Sequence, residues 1–233
     1  MSEIKHPIGL KTLFFTEMWE RMSFYGMRGI LVLFMTASIN SGGLDFSNAS
    51  ASAIYGIYAA AVYLMALPGG WLADNIFGQQ KTILFGGIII MFGHLSLAIP
   101  NMTFFYIGLI LVVMGTGLLK PNISAIVGGL YEKNPSMKES GFTIFYMSIN
   151  IGSILGFFIC GYLGENIGWH YGFGAAGIGM LLGVLQYKFN LNTLGSVGLK
   201  PTNLISEETK NNYKKITLII FLFILIFIFS GLT

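Results

Sequence analysis

Long hydrophobic stretches alternate along the chain with short polar connections. Apolar segments cover about 12–39, 52–73, 82–99, 103–128, 141–164, 168–189 and 216–232. A helix needs about 20 mainly apolar residues to cross a bilayer, and each segment is close to that length. The pattern predicts six membrane-spanning helices over residues 1–189, a linker over 190–215, and the start of a seventh hydrophobic helix over 216–233.

Composition supports a membrane class. Of the 233 residues, 54% are hydrophobic and 10% are charged, whereas soluble domains carry about 25% charged residues. An all-α membrane protein that lies in a lipid bilayer is therefore predicted. The formal charge of +3 is small and its lysines are dispersed, which disfavours a nucleic-acid partner. The spacings Gly152/Gly156 and Gly179/Gly183 indicate close helix contacts.

Reactive side chains are few. Cys160 is the only cysteine and there are three histidines. Cys160 is expected to be a packed thiol, and His94, inside the third segment, a packing histidine rather than a proton relay. Neither a metal site nor a nucleophile with a paired base is indicated, so we expect no enzyme, no metal and no bound cofactor.

Basic residues mark one side of the membrane. The connections "SGGLDFSNASA", "PN" and "GENIGWH" contain no lysine or arginine. Lysines occur instead near the other ends of the segments: Lys5, Lys11, Lys81, Lys133, Lys138, Lys188, Lys200, Lys210, Lys214 and Lys215. Because basic residues stay in the cytoplasm, the N-terminus and the linker are predicted to be cytoplasmic. Charges inside the first segment also argue against a cleaved signal peptide.

The first segment contains "TEMWERMSFYGMRG", with four charged side chains: Glu17, Glu20, Arg21 and Arg28. On a helix they fall within roughly 140° of arc. This stripe must face protein or water, because charge facing lipid costs several kcal/mol. A structural ion-pair cluster is one interpretation. A path for ions or substrate is favoured, since buried ion pairs stabilise poorly compared with packed apolar residues.

Other segments place polar groups at a similar depth. Helical rise puts Glu17 to Arg28 roughly 8 to 24 Å from the cytoplasmic edge, and Lys120, Tyr63 and Asn150 at roughly 10 to 15 Å. Lys120 could also extend to the interface as a long side chain. The common depth predicts a polar cavity near the middle of the bilayer.

The residue types in this layer fit exchange of charged partners. Arg21, Arg28 and Lys120 can donate to a carboxylate, while Glu17 and Glu20 can accept a proton or an amino group. An ion pair that a proton or an anion can break is a two-state element. The residues therefore suggest a proton-coupled carrier of charged small molecules.

Four motifs occur in family order. "EMWERMSFYG" resembles the E-x-x-E-R-[FM]-S-[FY]-Y-G motif of the proton-dependent oligopeptide transporters, a branch of the major facilitator superfamily. "GGWLADNIFGQQKTILFGGIIIMFG" (69–93) and "FTIFYMSINIGSI" (142–154) resemble its later motifs, and "GLLKPNIS" resembles its helix-four lysine region. The resemblance extends from about residue 7 to 215.

The resemblance implies the N-terminal six-helix bundle of the major facilitator fold. It also implies import of di- and tripeptides with protons across the cell membrane, by alternating access between two halves. Proton coupling would fall to Glu17, Glu20, Arg21 and Lys120. Peptide contacts would come from Arg21, Tyr25, Arg28, Tyr63, Lys120 and Asn150, and a gating loop from Asp74. A carrier of another anionic or amphoteric solute, or a non-transporting protein on this fold, remains an alternative.

The chain departs from the family pattern at several points. Phe24 stands where many members have a second tyrosine, and Asn75 where the gating loop commonly has arginine. Asp74 could equally be a helix-end cap. The family uses a second half, so we expect an N-terminal transporter half (1–189), a cytoplasmic linker (190–215) and a truncated extra helix (216–233), with the C-terminal half as a missing partner. A symmetric pair of halves is the weaker alternative.

Overall fold

Six α-helices make up most of the described chain. A computed structural model describes residues 5–203, 209, 212, 213 and 215, and it contains no strand in this part of the chain. The helices are α1 (Ile8–Thr36), α2 (Asn48–Leu72), α3 (Gln79–Leu97), α4 (Met102–Gly129), α5 (Lys138–Asn166) and α6 (Trp169–Phe189). The all-α prediction and its six helices are confirmed. The predicted seventh helix lies outside the described residues.

The helices have the dimensions of a membrane protein. Four spans are long and apolar enough to cross a bilayer: Asn48–Phe77, Gln79–Leu97, Met102–Gly129 and Pro135–Asn166. α1 and α6 fall outside this set by composition, and α1 carries the charged stripe. The protein is a multi-pass helical membrane protein.

Glycines allow α1 to pack closely against two neighbours. A Cβ at Gly152 would overlap the carbonyl oxygen of Met18, and one at Gly156 would overlap that of Met22. On α6, a Cβ at Gly179 would lie 2.5 Å from the Met22 sulfur. The predicted glycine contacts are therefore present, and α1 lies between α5 and α6. Cys160 is buried and free, as predicted.

Polar residues cap the starts of α2 and α4. Ser47 accepts a hydrogen bond from the Ser50 amide at the start of α2, and Asn101 from the Thr103 amide at the start of α4. The start of α3 differs. Its cap position is Gly78, with φ +80° and no side-chain capping hydrogen bond. The interpretation of Asp74 as the cap of this helix is therefore wrong, because α2 continues through it as a π-helical turn, Ala73–Phe77.

Residues 190–203, which we call the docked segment, pack against the α2–α3 connection. The Gln80 side-chain amide donates to the carbonyl oxygens of Gly195 and Val197, at 3.1 and 2.8 Å. The Gln80 amide N–H donates to the Gly198 carbonyl, and the Tyr187 hydroxyl donates to the Gln80 carbonyl. One buried glutamine thus joins α3, α6 and the docked segment.

A second set of contacts fixes the end of the docked segment. The Asn203 amide N–H donates to the Asp74 carbonyl at 2.9 Å, and the Asn203 side chain donates to the Asn75 side chain at 3.1 Å. Asn75, where the family commonly has arginine, is buried and also donates to the Trp71 carbonyl. The predicted linker therefore begins as a packed element.

Candidate functional site

The charged residues of α1 form a buried cluster. Glu17, Glu20 and Arg21 are 3%, 0% and 2% exposed. Arg21 Nε lies 2.9 Å from Glu17 Oε1 and also contacts a carboxylate oxygen of Glu20. The i, i+3, i+4 spacing places all three side chains on one helix face. One guanidinium therefore serves two carboxylates in the centre of the bundle.

This cluster leaves polar atoms without partners. Among the described residues, Glu17 Oε2, Glu20 Oε1 and Arg21 Nη2 have no hydrogen-bond partner. A buried polar group without a partner costs about 1–3 kcal/mol, and more when it is charged. The cluster therefore has free acceptor and donor positions that a proton, water or a ligand group can occupy.

Two further cationic groups are held by tyrosines of α2. Arg28 is exposed, its Nε donates to the Tyr55 hydroxyl, and its Cζ lies 5.3 Å from the centre of the Tyr55 ring. Lys120 Nζ lies 5.1 Å from the centre of the Tyr63 ring. Cation–π contacts attract both cations to ring faces without neutralising them. Their charge remains available to an anionic group.

Lys120, on α4, contacts the Tyr63 ring and forms no ion pair with the α1 cluster in the described part of the chain. The ion pairs shorter than 4 Å between described residues are those of Arg21 with Glu17 and with Glu20. Arg21, rather than Lys120, is therefore the cation in contact with the two carboxylates.

The remaining predicted residues occupy different positions. Tyr25 is half-buried, with the Arg21 Cζ 6.0 Å from the centre of its ring. Phe24, the residue that replaces a tyrosine, is buried and also lies under Arg21 at 5.2 Å. Asn150 is exposed on α5. Asp74 lies in the π-helical turn that directly follows α2, roughly 16 Å along the axis from Tyr63.

The polar residues form an open wall. Tyr63 is 68% exposed, and Arg28 and Asn150 are also exposed. An apolar cavity of about 670 Å³ lies elsewhere, near the α3–α4 connection, with Ala98, Pro100 and His170 among its lining residues. The described residues therefore form one wall of the polar cavity that the sequence predicts, and this wall is open on the side away from the bundle.

Sequence reasoning missed two tyrosines of α2, Tyr55 and Tyr58. Tyr55 holds Arg28, and Tyr58 is buried with an unpartnered hydroxyl. Their signal was the recurrence of tyrosine in the second apolar segment, at 55, 58 and 63. His94 is buried as predicted, although neither ring nitrogen has a hydrogen-bond partner among the described residues.

A multi-pass helical bundle with a buried charge cluster and an open cationic wall has the architecture of a membrane carrier. Comparisons with known proteins agree. The sequence profile named PTR2, described as the POT family, matches residues 80–192. The chain is 48% identical over 206 residues to "Uncharacterized transporter YclF" of Bacillus subtilis (strain 168), covering 88% of the chain and 42% of that relative.

Other matches carry more specific names. The chain is 43% identical over 211 residues to "Di-/tripeptide transporter" of Lactococcus lactis subsp. cremoris, covering 89% of the chain and 42% of that relative. A crystal structure of a peptide transporter POT in complex with sulfate is similar at 41% identity and a TM-score of 0.89, covering 97% of this chain and 46% of that one.

The chain belongs to the POT family, and its six helices have the major facilitator fold of the solved relatives. It spans about 42% of the length of the two curated relatives named above.

Proposed function

We propose that this chain forms one half of a proton-coupled carrier of di- and tripeptides. The observation that carries the proposal is the buried Arg21 shared by Glu17 and Glu20, beside an open wall with Arg28 and Lys120. The names of the relatives support peptides as the substrate class. Proton coupling follows from the resemblance to the family and from the chemistry of the cluster.

Proton coupling is proposed for Glu17, Glu20, Arg21 and Lys120. When Glu20 is ionised, Arg21 is held by both carboxylates. A proton on one carboxylate weakens that hold and frees the guanidinium to turn toward the open wall. Lys120 of α4 is proposed to supply a second cation to this exchange. Protonation and substrate binding would in this way bias the same ion pair.

Peptide recognition is proposed for the open wall. Arg21, Arg28 and Lys120 offer donors to the peptide carboxylate. Tyr25, Tyr63 and Asn150 offer hydroxyl and amide groups to the peptide backbone. Contacts to groups that all peptides share would let one site accept many side chains.

Further parts of the proposal concern the surroundings of the site. Asp74 is assigned to a gating loop between α2 and α3. The chain is divided into a transporter half (1–189), a linker (190–215) and part of an additional helix (216–233), and its partner is a C-terminal half. We place the protein in the cell membrane with a cytoplasmic N-terminus, as a carrier that uses protons and no other cofactor and catalyses no reaction.

The test is uptake of a labelled dipeptide into liposomes under an inward proton gradient. The 233-residue chain is compared with the same chain fused to the C-terminal half of a relative. We expect uptake only in the fused form, and at least a tenfold loss in its Glu20→Gln and Lys120→Ala variants. A free amphoteric amino acid of similar size serves as the competing substrate.

Each other outcome identifies a different error. Uptake by the 233-residue chain without the second half would indicate a symmetric pair of halves. Uptake of the amino acid in preference to the dipeptide would show that the substrate is a small amphoteric solute rather than a peptide. Peptide uptake that is insensitive to the proton gradient and to Glu20→Gln would contradict proton coupling.

A further inference from the structure

The apolar cavity near the α3–α4 connection is a groove along the outside of α6. Its volume of about 670 Å³ lies within the range of about 300–1,000 Å³ that is usual for small-molecule sites. None of its described lining residues carries a full-time charge, and several are small. Besides Pro100 and His170, they are Ala98, Leu163, Tyr171, Gly174, Ala175 and Ile178. We call this cavity the α6 groove.

The α6 groove lies on an apolar surface that is separate from the polar wall. The charged and amide groups of that wall belong to α1, α2, α4 and α5, and none belongs to α3 or α6. The large exposed side chains of α3 and α6 include Phe92, Leu95, Ile178 and Leu182. In a multi-pass membrane protein, a continuous exposed apolar surface of this kind is in contact with hydrocarbon chains.

The groove runs along α6 through most of one leaflet of the membrane. His170 lies in the first turn of α6, beside the lysine-free connection between α5 and α6. Ile178 is eight residues further along, which corresponds to about 12 Å at the helical rise. One leaflet contributes about 15 Å of hydrocarbon. Trp169 and Tyr171 flank His170, and such aromatic residues are enriched where a membrane meets water.

A second, smaller recess adjoins the groove at the end near His170. It has a volume of about 250 Å³ and shares Pro100 and His170 with the α6 groove, and its other lining residues include the loop residues Gly42, Gly43 and Asn101. We call it the head recess. A long apolar groove that meets a recess with loop backbone and an imidazole is suited to an amphipathic molecule, with its chain in one and its polar end in the other.

His170 supplies a polar atom where the two cavities meet. Its Nδ1 lies 3.0 Å from the Leu97 carbonyl oxygen. Because a carbonyl only accepts, Nδ1 must carry the hydrogen and donate. Among the described residues, no group forms a hydrogen bond with the other ring nitrogen, Nε2. That nitrogen is therefore free to contact a polar headgroup.

We propose that the α6 groove and the head recess bind one zwitterionic phospholipid of the leaflet on the lysine-free side. An acyl chain lies along α6 as far as Ile178, and the headgroup lies at His170. A recess in a lipid-facing surface is filled by a chain, because its lining atoms would otherwise lose their dispersion contacts. The lysine-free connections carry Asp45 and Glu165 and no lysine or arginine, which disfavours a headgroup with a net negative charge. The site goes beyond the proposed function and does not depend on peptide transport.

The experiment uses phosphatidylcholine that carries a diazirine near the end of one acyl chain. It is titrated into the 233-residue chain in detergent and irradiated, and peptide mass spectrometry locates the crosslinks. We expect crosslinking to residues 170–178 to saturate near one lipid per chain. Unlabelled phosphatidylcholine should suppress it, and phosphatidylglycerol should compete at least threefold less well.

Gly174→Leu fills the groove without displacing backbone, since a Cβ at Gly174 would meet the Ala98 Cβ at 3.7 Å. It should lower the saturable crosslinking at least fivefold. Gly161→Leu is the matched control, because a Cβ there would meet nothing within 4 Å and Gly161 does not line the groove. Both glycines lie five residues from a helix end on the lysine-free side. Crosslinking in the control should stay within twofold of the unsubstituted chain.

Thermal unfolding gives a second measurement and shows whether the variants are folded. Phosphatidylcholine at ten times its dissociation constant should raise the midpoint of the unsubstituted chain and of Gly161→Leu by about 4 °C. The midpoint of Gly174→Leu should not respond to the lipid. If Gly174→Leu shows no cooperative transition, Ala175→Phe, which fills the groove from the next position, replaces it in both measurements.

The proposal is overturned by several results. Crosslinking that rises with lipid without saturating, or that is equal in the filled and control variants, would show ordinary contact with surrounding lipid. A disulfide between Ala175→Cys and a cysteine placed within 216–232 would show that a later segment of this chain covers the groove. Equal competition by phosphatidylglycerol would refute the zwitterionic headgroup.

Discussion

At the scale of single residues, Arg21 makes the burial of two carboxylates tolerable. It contacts Glu17 and Glu20, and all three side chains are nearly inaccessible. A buried ion pair adds little to stability compared with apolar residues of similar size, but removing one partner leaves an uncompensated charge. The cluster is therefore costly to break by a single change and easier to replace as a whole.

This asymmetry gives a prediction for Arg21→Met. The single variant should lose about 3–5 kcal/mol of stability at neutral pH, because two carboxylates remain buried without a cation. The triple variant Glu17→Gln/Glu20→Gln/Arg21→Met should recover most of this loss. Thermal or denaturant unfolding in the same detergent measures both. Equal stabilities of the single and triple variants would contradict the argument.

The residues of the cluster could be predicted from the sequence, but their environment could not. Helical periodicity puts Glu17, Glu20 and Arg21 on one face, and charge inside an apolar segment draws attention to them. A tyrosine in an apolar segment gives no such signal, because the pattern does not distinguish a packed ring from one that serves a cation. The contact of Tyr55 with Arg28 and the burial of Tyr58 depend on how α1 and α2 pack together, which the hydrophobic pattern does not give.

At the scale of elements, the contact between α1 and α5 depends on glycines of α5, which have no side chain and so leave room for the backbone of α1. Gly156 faces the Met22 carbonyl oxygen and the backbone of Gly26. Backbone atoms of a packed helix cannot move aside as the end of a side chain can. Helix spacing at this contact is therefore set by the absence of a Cβ.

Gly156→Ala should destabilise the protein by about 1–3 kcal/mol, the usual cost of overpacking a core. Gly161→Ala is the matched control on the same helix, since a Cβ there would meet nothing within 4 Å. The control should be neutral or up to about 1 kcal/mol more stable, because alanine favours helix over glycine. Unfolding midpoints of the two variants, compared with the unsubstituted chain, test the difference. A similar loss of stability in both variants would show that alanine disturbs the α5 backbone at either position, and would contradict the argument from overlap at Gly156.

Helix positions followed closely from the hydrophobic pattern, while helix ends did not. α1 begins at Ile8 rather than near 12, and α2 begins at Asn48 rather than near 52. The first turn of α2 contains Asn48 and Ser50 and is capped by Ser47, so an apolar pattern underestimates it. The first turn of α1 ends at Lys11, which interrupts the apolar pattern. The π-helical turn through Asp74 and the packing of the docked segment depend on tertiary hydrogen bonds, which no periodicity encodes.

At the scale of the whole molecule, the lysine distribution predicts which connections face the cytoplasm. The connection between α1 and α2 has no lysine or arginine, whereas Lys133 lies between α4 and α5. Ser41 and Lys133 are both exposed. Because the two connections are on opposite sides of the bundle, single cysteines at these positions distinguish the two orientations.

Ser41→Cys should react with a membrane-impermeant maleimide added to intact cells, and Lys133→Cys should react only after the cells are permeabilised. The native Cys160 is buried and gives little background. Labelling of Lys133→Cys in intact cells, with protection of Ser41→Cys, would reverse the proposed orientation. Reaction of both in intact cells would indicate leaking cells, which a cytosolic reporter thiol detects.

The docked segment has a consequence for how a second half is connected. Residues 190–203 are held against the α2–α3 connection, and farther along the chain the Tyr213 ring contacts the Trp71 ring of α2 at a centroid distance of 4.7 Å. The chain therefore leaves for the next apolar run from beside α2 rather than from Phe189. Residues 204–215 can span at most roughly 40 Å, even when fully extended. A short tether raises the effective concentration of whatever follows it. Pairing of the halves would therefore be local and intramolecular, with its starting point fixed beside Asp74.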